Sequence, residues 1–361
     1  MSDRLGSLDV LRGITIAGMI VVNDPGTWSA VYPPLLHADW HGWTYTDTIF
    51  PFFLFLAGAA MALSFARRRD EGATTAILLR HTAVRAAILV ALGLALNLAG
   101  FLGFHKEHFR IPGVLQRIGI CVLLAGAIFL VAGVRGAAWT AAFLLVGYWA
   151  LMSKCPLDPE SNLAARIDRA VFGVHTWKPG WDPEGLLSTL PAIATTLLGV
   201  LAGERLRTAG SPGAKIRSLV VGGAAAVVVG ALWSRVFPIN KNLWTSSYAV
   251  LMSGLAALCL AVCLWLVDVR GWKGWAAPFL WLGRNAIAAF TLSALGAIVL
   301  LAVRIDGPDG QPRSVWRAIY VTDFDRFADP RLGSLLFALA YLMVWIAVFG
   351  LLYRKRIFIK I

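Results

Sequence analysis

Apolar runs long enough to cross lipid recur from one end of this 361-residue chain to the other, and no other feature constrains its folding as much. A spanning helix needs about 20 mostly apolar residues, with every backbone polar group satisfied inside the segment. Runs of that kind occupy 8–27, 45–66, 82–101, 112–132, 137–152, 186–204, 219–236, 246–267, 276–303 and 335–353. The fifth is short and the ninth long, so the expected count is about ten spans. The expected fold class is all-α, a polytopic transmembrane helix bundle forming a single domain over 1–361. Composition excludes most alternatives: hydrophobic residues reach 58% and charged residues only 15%, where a soluble domain carries about 25% charge. The first run has Asp9 at its start and no small-residue cleavage site, and reads as a retained helix rather than a signal peptide.

Charge then sets an expected orientation. The net charge of +13 is spread as short clusters between apolar runs, which argues against nucleic acid and for a positive-inside topology. With both termini cytoplasmic, one face holds Arg4, Arg12, Arg67–Arg69, Arg80, Arg135, Arg205, Arg207, Lys215, Arg217, Arg270, Lys273, Arg354–Arg356 and Lys360. That face carries about 17 basic against about six acidic residues, while the other is near balance at about 13 against 14. Three longer segments fall on the balanced face: 28–44, 154–185 and 304–333, the last rich in aspartates such as Asp306 and Asp309. Segments of that length are usually functional or disordered. Cys121, Cys259 and Cys263 lie inside apolar runs and Cys155 is alone in a loop, so no disulfide framework or metal knuckle is expected. No interrupted spans recur in corresponding places of the two halves, as an inverted-repeat transporter would require.

Polar groups at membrane depth are expensive, so each calls for an account. Asn23 ends the first run and reads either as a helix-end or interhelical hydrogen bond, or as an amide donor for an oxyanion. His37 sits among Trp28, Trp40 and Trp43 beside Asp39, with His41 nearby, and is either a solvated loop residue or a general base tuned near neutral pH. Asp47 opens the second run, as a first-turn carboxylate or as the group that orients His37. Gln116 and Arg117 fall in the fourth run, and Arg284 and Asn285 in the ninth. Arg12 lies one turn beyond Asp9, as an intrahelical partner or an anion ligand.

Several stretches together resemble the heparan-α-glucosaminide N-acetyltransferase family, including bacterial members of this length. They are Leu8–Gly13 running on to Asn23, Leu36–Gly42, Asp47 with Phe50–Phe53, Arg110–Arg117, Asp182–Gly185, Pro238–Trp244 and Tyr353–Lys355. The resemblance implies an enzyme of the inner (cytoplasmic) membrane that passes the acetyl group of cytosolic acetyl-coenzyme A to the amine of a terminal glucosamine across the bilayer. It places the catalytic histidine at His37 and the active-site asparagine at Asn23, with Asp47 as the expected partner. Expected coenzyme ligands are Arg12, Arg117, Arg284, Asn285 and Lys355; expected acceptor contacts are Asp39, Trp40, Glu184, Asn240, Lys241 and Asn242. It also implies a homodimer, and no metal is expected. The chain departs from the animal members in having no large lumenal domain ahead of the spans, in Ser293 where they carry a histidine, and in Arg284 where they carry an apolar residue. Small amino sugars or glycan ends are therefore the expected acceptors. An amino-sugar transporter and a membrane O-acyltransferase acting on a surface glycan are the competing readings.

Overall fold

The computed structural model describes residues 5–178, 180–307 and 310–359; Arg4, Asp309 and Lys360, used in the charge reading, lie outside the described residues. The described chain is almost entirely helical. Helices α1 (Gly6–Asn23), α2 (Tyr45–Asp70), α3 (Thr75–Gly103) and α4 (Val114–Met152) are followed by the short α5 (Leu163–Phe172). Then come α6 (Thr189–Thr208), α7 (Pro212–Trp233), α8 (Ser246–Cys263), α9 (Ala277–Arg284), α10 (Ala286–Ala302), α11 (Val315–Ile319) and α12 (Pro330–Arg354). A two-stranded antiparallel ribbon, β1 (Arg304–Asp306) with β2 (Pro312–Ser314), lies between α10 and α11.

Among the described residues, seven helices are long and apolar enough to cross a membrane, or eight if α9 and α10 form one broken span. The chain is an integral membrane protein. The larger number read from the sequence arises in two places, each with a physical cause. The fourth and fifth runs are two helical halves of α4, 114–132 and 134–152, parted at Gly133 as the sequence separates them; its φ of 66° and ψ of −165° are not helical, and only glycine takes such a conformation without strain. The sixth run, α6, is less apolar than the other spans because it carries Thr189, Thr195, Thr196, Glu204, Arg205 and Arg207. It tolerates them because it is enclosed by α2, α4 and α8, and the Thr195 and Thr196 hydroxyls donate to carbonyls four residues back. The ninth run is a correction: α9 and α10 meet at 88° about Asn285 instead of forming one long rod.

Small residues set the closest helix contacts, as expected where dispersion and not hydrophobic exclusion drives packing. A Cβ on Gly13 would sit 1.8 Å from the Phe279 carbonyl oxygen, and one on Gly283 would sit 1.8 Å from the Asp9 carbonyl oxygen, so α9 lies directly on α1. Gly58 and Gly199 bring α2 against α6 in the same way, and Gly223 and Gly254 join α7 to α8. Helices α3 and α7 leave most of their surface uncovered by protein, as lipid-facing helices do.

The connections gather at two ends. At one, Trp40 Nε1 donates to the Leu157 carbonyl and the Tyr32 hydroxyl to Asp329, tying all three long segments together, while Gly42 N–H donates to the Ile239 carbonyl and Gly26 N–H to the Ser334 carbonyl. At the other, Asp268 accepts from the N–H groups of Gly6 and Ser7, and Arg69 reaches the Leu130 carbonyl. The segments sorted onto one face by charge thus share one end of the bundle.

Candidate active site

The site at the long-loop end starts from how α2 begins. Thr44 and Asp47 form a capping box, in which the Asp47 carboxylate accepts from the Thr44 N–H at 2.9 Å. The same Oδ2 accepts from the Ala38 N–H at 3.0 Å, pulling the preceding loop onto the helix. That leaves Oδ1 for His37, whose Nδ1 lies 2.6 Å away. Asp47 serves as acceptor throughout, so Nδ1 carries the hydrogen and Nε2 keeps its lone pair. The carboxylate is 1% exposed and the imidazole 49% exposed, an enclosed acceptor behind a half-open ring. From the other side, the Tyr248 hydroxyl donates to the Asp47 carbonyl at 2.6 Å.

Asn23 is the last residue of α1, exposed at the same end. The turn Pro33–Leu35 holds the His37 loop there, because Leu35 packs on Met19, Val22 and Ile49. The next residue, Asp24, was not singled out in the sequence, where Asn-Asp-Pro-Gly reads as an ordinary turn. It lies just beyond the spanning helix, is 9% exposed, and burial pushes its carboxyl up to about 8.

Beside this pair stands a buried charged cluster. Arg110 donates from Nε and Nη2 to Asp182 at 2.8 and 2.6 Å, and Nη2 also reaches Glu184 at 2.5 Å. Two of the stretches that carried the family resemblance therefore meet face to face. Burial alone would raise the Glu184 carboxyl; Arg110, with Lys241 and Arg117 further off, overrides it and holds the group below its ordinary range. Trp40 is anchored through Leu157 and packs edge-on against Trp181 at 5.5 Å. Asn240 is fully buried and accepts from the Leu243 N–H, with its amide nitrogen 3.4 Å from His41 Nδ1. Asp39 is exposed, and Lys241 and Asn242 are partly so.

The expected coenzyme ligands divide. Arg12, Arg284, Asn285 and Lys355 gather at the opposite end. Arg12 contacts Asp9 and the Gly283 carbonyl; Arg284 lies 3.9 Å from Asp9 and over the rings of Tyr353 and Phe358. Asn285 accepts from the Ile359 N–H at 2.8 Å and lies 3.5 Å from the Ile357 carbonyl, while Lys355 is exposed at the end of α12. Arg68 and Arg85 come within electrostatic range of this group, and Arg85 was overlooked because it interrupts an otherwise apolar run. Arg117 is elsewhere. It is 1% exposed near the His37 end, donates to the Gly185 carbonyl and the Ser188 hydroxyl, and lies over the Trp244 ring at 5.3 Å. Between the two ends, Ile16, Met19, Phe53, Leu115, Ile118 and Phe290 meet in an apolar seam between α1, α2, α4 and α10 that is packed shut.

Fold and site together define a polytopic membrane protein with a histidine–carboxylate pair at one end and a cationic cluster at the other. The family model described as heparan-alpha-glucosaminide N-acetyltransferase, catalytic, matches residues 4–234, more than half of the sequence, and the chain belongs to that family. It is 29% identical over 351 residues to the human heparan-alpha-glucosaminide N-acetyltransferase and 27% identical over 356 residues to the mouse protein of the same name, in each case over 80% of this chain. The aligned regions make up 52% and 53% of those proteins, so the chain spans about half the length of the curated relatives it matches.

Proposed function

We propose that the protein is a transmembrane acetyltransferase of the bacterial inner membrane. It takes acetyl-coenzyme A at the cytosolic, Arg12 end and delivers the acetyl group to the amine of a glucosamine-like sugar at the His37 end. The observation that carries this reading is the 2.6 Å contact between His37 Nδ1 and a buried Asp47, which leaves Nε2 exposed as a base. In the reaction, His37 Nε2 takes a proton from the acceptor ammonium or amine, the nitrogen attacks the thioester carbonyl, and the Asn23 amide donates to the oxyanion. The coenzyme phosphates fit the group formed by Arg12, Arg68, Arg85, Arg284 and Lys355, since charge-assisted contacts to phosphate are about twice as strong as neutral ones. The pantetheine arm would have to pass between α1, α2, α4 and α10, whose facing side chains are packed together in this structure. Asp39, Lys241 and Asn242 offer polar contacts to a sugar; Trp40, Glu184 and Asn240, already engaged within the protein, shape the acceptor pocket.

The decisive assay is coenzyme A release by purified protein with glucosamine, N-acetylglucosamine and related acceptors. Glucosamine should react and the N-acetylated sugar should not; the reverse preference would mark an O-acyltransferase. His37→Ala is expected to lose about 10²–10⁴-fold and Asn23→Ala about 10²–10³-fold, both with unchanged thermal stability. Labelled acetyl-coenzyme A without acceptor separates direct transfer from an acetyl-histidine route, because only the latter labels protein. Glucosamine flux in proteoliposomes lacking acetyl-coenzyme A would instead establish a transporter.

A further inference from the structure

The loop that carries His37 holds a second imidazole, His41, with the opposite hydrogen-bonding polarity. The two ends of 38–44 meet on one oxygen, since the N–H groups of Ala38 and Thr44 both donate to Asp47 Oδ2. The stretch between them leans onto the other connections: Trp40 donates to the Leu157 carbonyl and packs on Trp181, and the Gly42 N–H donates to the Ile239 carbonyl. His41 is exposed on this turn, its ring edge-on to Trp40 at 6.3 Å.

Asn240 decides which nitrogen of that ring carries hydrogen. It is fully buried and its backbone is clamped to Thr245: its N–H donates to Thr245 Oγ1 at 3.0 Å, and its carbonyl accepts from the Thr245 N–H at 3.1 Å. Its Oδ1 accepts from the Leu243 N–H at 2.8 Å. A backbone N–H can only donate, so this bond fixes the oxygen end of the carboxamide. The other end, Nδ2, lies 3.4 Å from His41 Nδ1 and can only donate to it. In the neutral ring the hydrogen therefore sits on Nε2, which no described residue engages. His37 is the reverse, its Nδ1 giving hydrogen to Asp47 and its Nε2 keeping a lone pair. The two Cα atoms are four steps of chain apart, at most about 14 Å, so one acceptor molecule can meet both rings.

An amino sugar carries the complementary groups: an amine with hydrogen to lose, and hydroxyl oxygens with lone pairs to offer. We propose that His41 is a specificity-determining residue that donates its Nε2 hydrogen to a hydroxyl oxygen of the acceptor sugar. Asn240 is the positioning residue behind it. This rests on the acetyltransferase reading above.

The test is coenzyme A release with glucosamine and with its 1-, 3-, 4- and 6-deoxy analogues. A lost neutral hydrogen bond costs about 2–13-fold. One deoxy sugar should fall by that factor in kcat/KM with wild type. His41→Ala should fall as far with glucosamine and show no further loss with that deoxy sugar. His41→Gln, which still offers an N–H, should recover most of the rate and the discrimination. Asn240→Asp presents only oxygens, so the His41 hydrogen should move to Nδ1, and kcat/KM should fall as in His41→Ala. Nitrogen-15 NMR of histidine-labelled protein in alkaline buffer reads that move directly; an Nδ1 hydrogen on His41 already in wild type would overturn the proposal. So would equal deoxy penalties in wild type and His41→Ala, or a wild type indifferent to every hydroxyl, a result that needs no variant to fold. A wild type that acetylates no amine at all refutes the acetyltransferase reading itself, and this assignment with it.

Discussion

At the residue scale, the design of the His37 site turns on which ring nitrogen carries hydrogen. Asp47→Asn keeps an oxygen for the N–H groups of Ala38 and Thr44 but presents an amide hydrogen to His37 Nδ1. The imidazole then moves its own hydrogen to Nε2 and ceases to be a base. A loss of about 10⁴ in kcat with little change in melting temperature is expected, by analogy with the asparagine variant of a catalytic triad. Asp24 gives a stability prediction of opposite character. Its folded-state titration is raised from an ordinary value of 3.8 to about 8, so the folded protein binds more protons than the unfolded chain between those limits. Its contribution is fully present below about pH 4 and is lost progressively up to about pH 8. Asp24→Asn should therefore raise the melting temperature most at and above pH 8, which a pH series of thermal unfolding checks. The legibility of these residues followed their surroundings. His37 and Asp47 stood out because tryptophans and a helix start framed them, whereas Asp24 and Arg85 were hidden, one by a turn-like tetrapeptide and the other by an apolar run.

At the scale of elements, the Arg110–Asp182–Glu184 cluster joins the start of α4 to the segment before α6. Arg110→Ala leaves two enclosed carboxylates without their cation and should cost about 3–5 kcal/mol; denaturation in detergent, compared with Lys106→Ala as an exposed control, measures it. The α1–α9 crossing is similarly intolerant. Gly13→Val would force α9 away from α1, since even the first carbon meets the Phe279 carbonyl oxygen at 1.8 Å. Its cost should exceed the 1–3 kcal/mol typical of overpacking, read as loss of monodisperse protein. Apolar run length recovered the helices well but not their bends. Hydropathy at 276–303 is continuous through the 88° break, and the only written trace was the Arg284–Asn285 pair. The break at Gly133, by contrast, was legible, since Arg135 separates the runs 112–132 and 137–152.

At the scale of the molecule, charge sorting by loop anticipated which connections lie together, because the same alternation governs both membrane insertion and the meeting of helix ends. The absolute direction is a separate question with a direct measurement. In a background lacking Cys155, a membrane-impermeant maleimide should label Ser161→Cys in intact cells and Ser211→Cys only after permeabilisation. The inverse pattern would put His37 on the donor side and end the vectorial scheme.

Asn285 has a practical corollary. Its carboxamide grips the backbone at Ile357 and Ile359, so the closing stretch of polypeptide acts as a splint across the elbow between α9 and α10. A fluorescent reporter fused immediately behind Ile359 would lever that splint loose beside the arginines expected to meet the coenzyme, whereas a long pliant spacer would leave it seated. Reporter fusions differing only in spacer length should therefore diverge in acetyl-coenzyme A affinity, with the short one weaker.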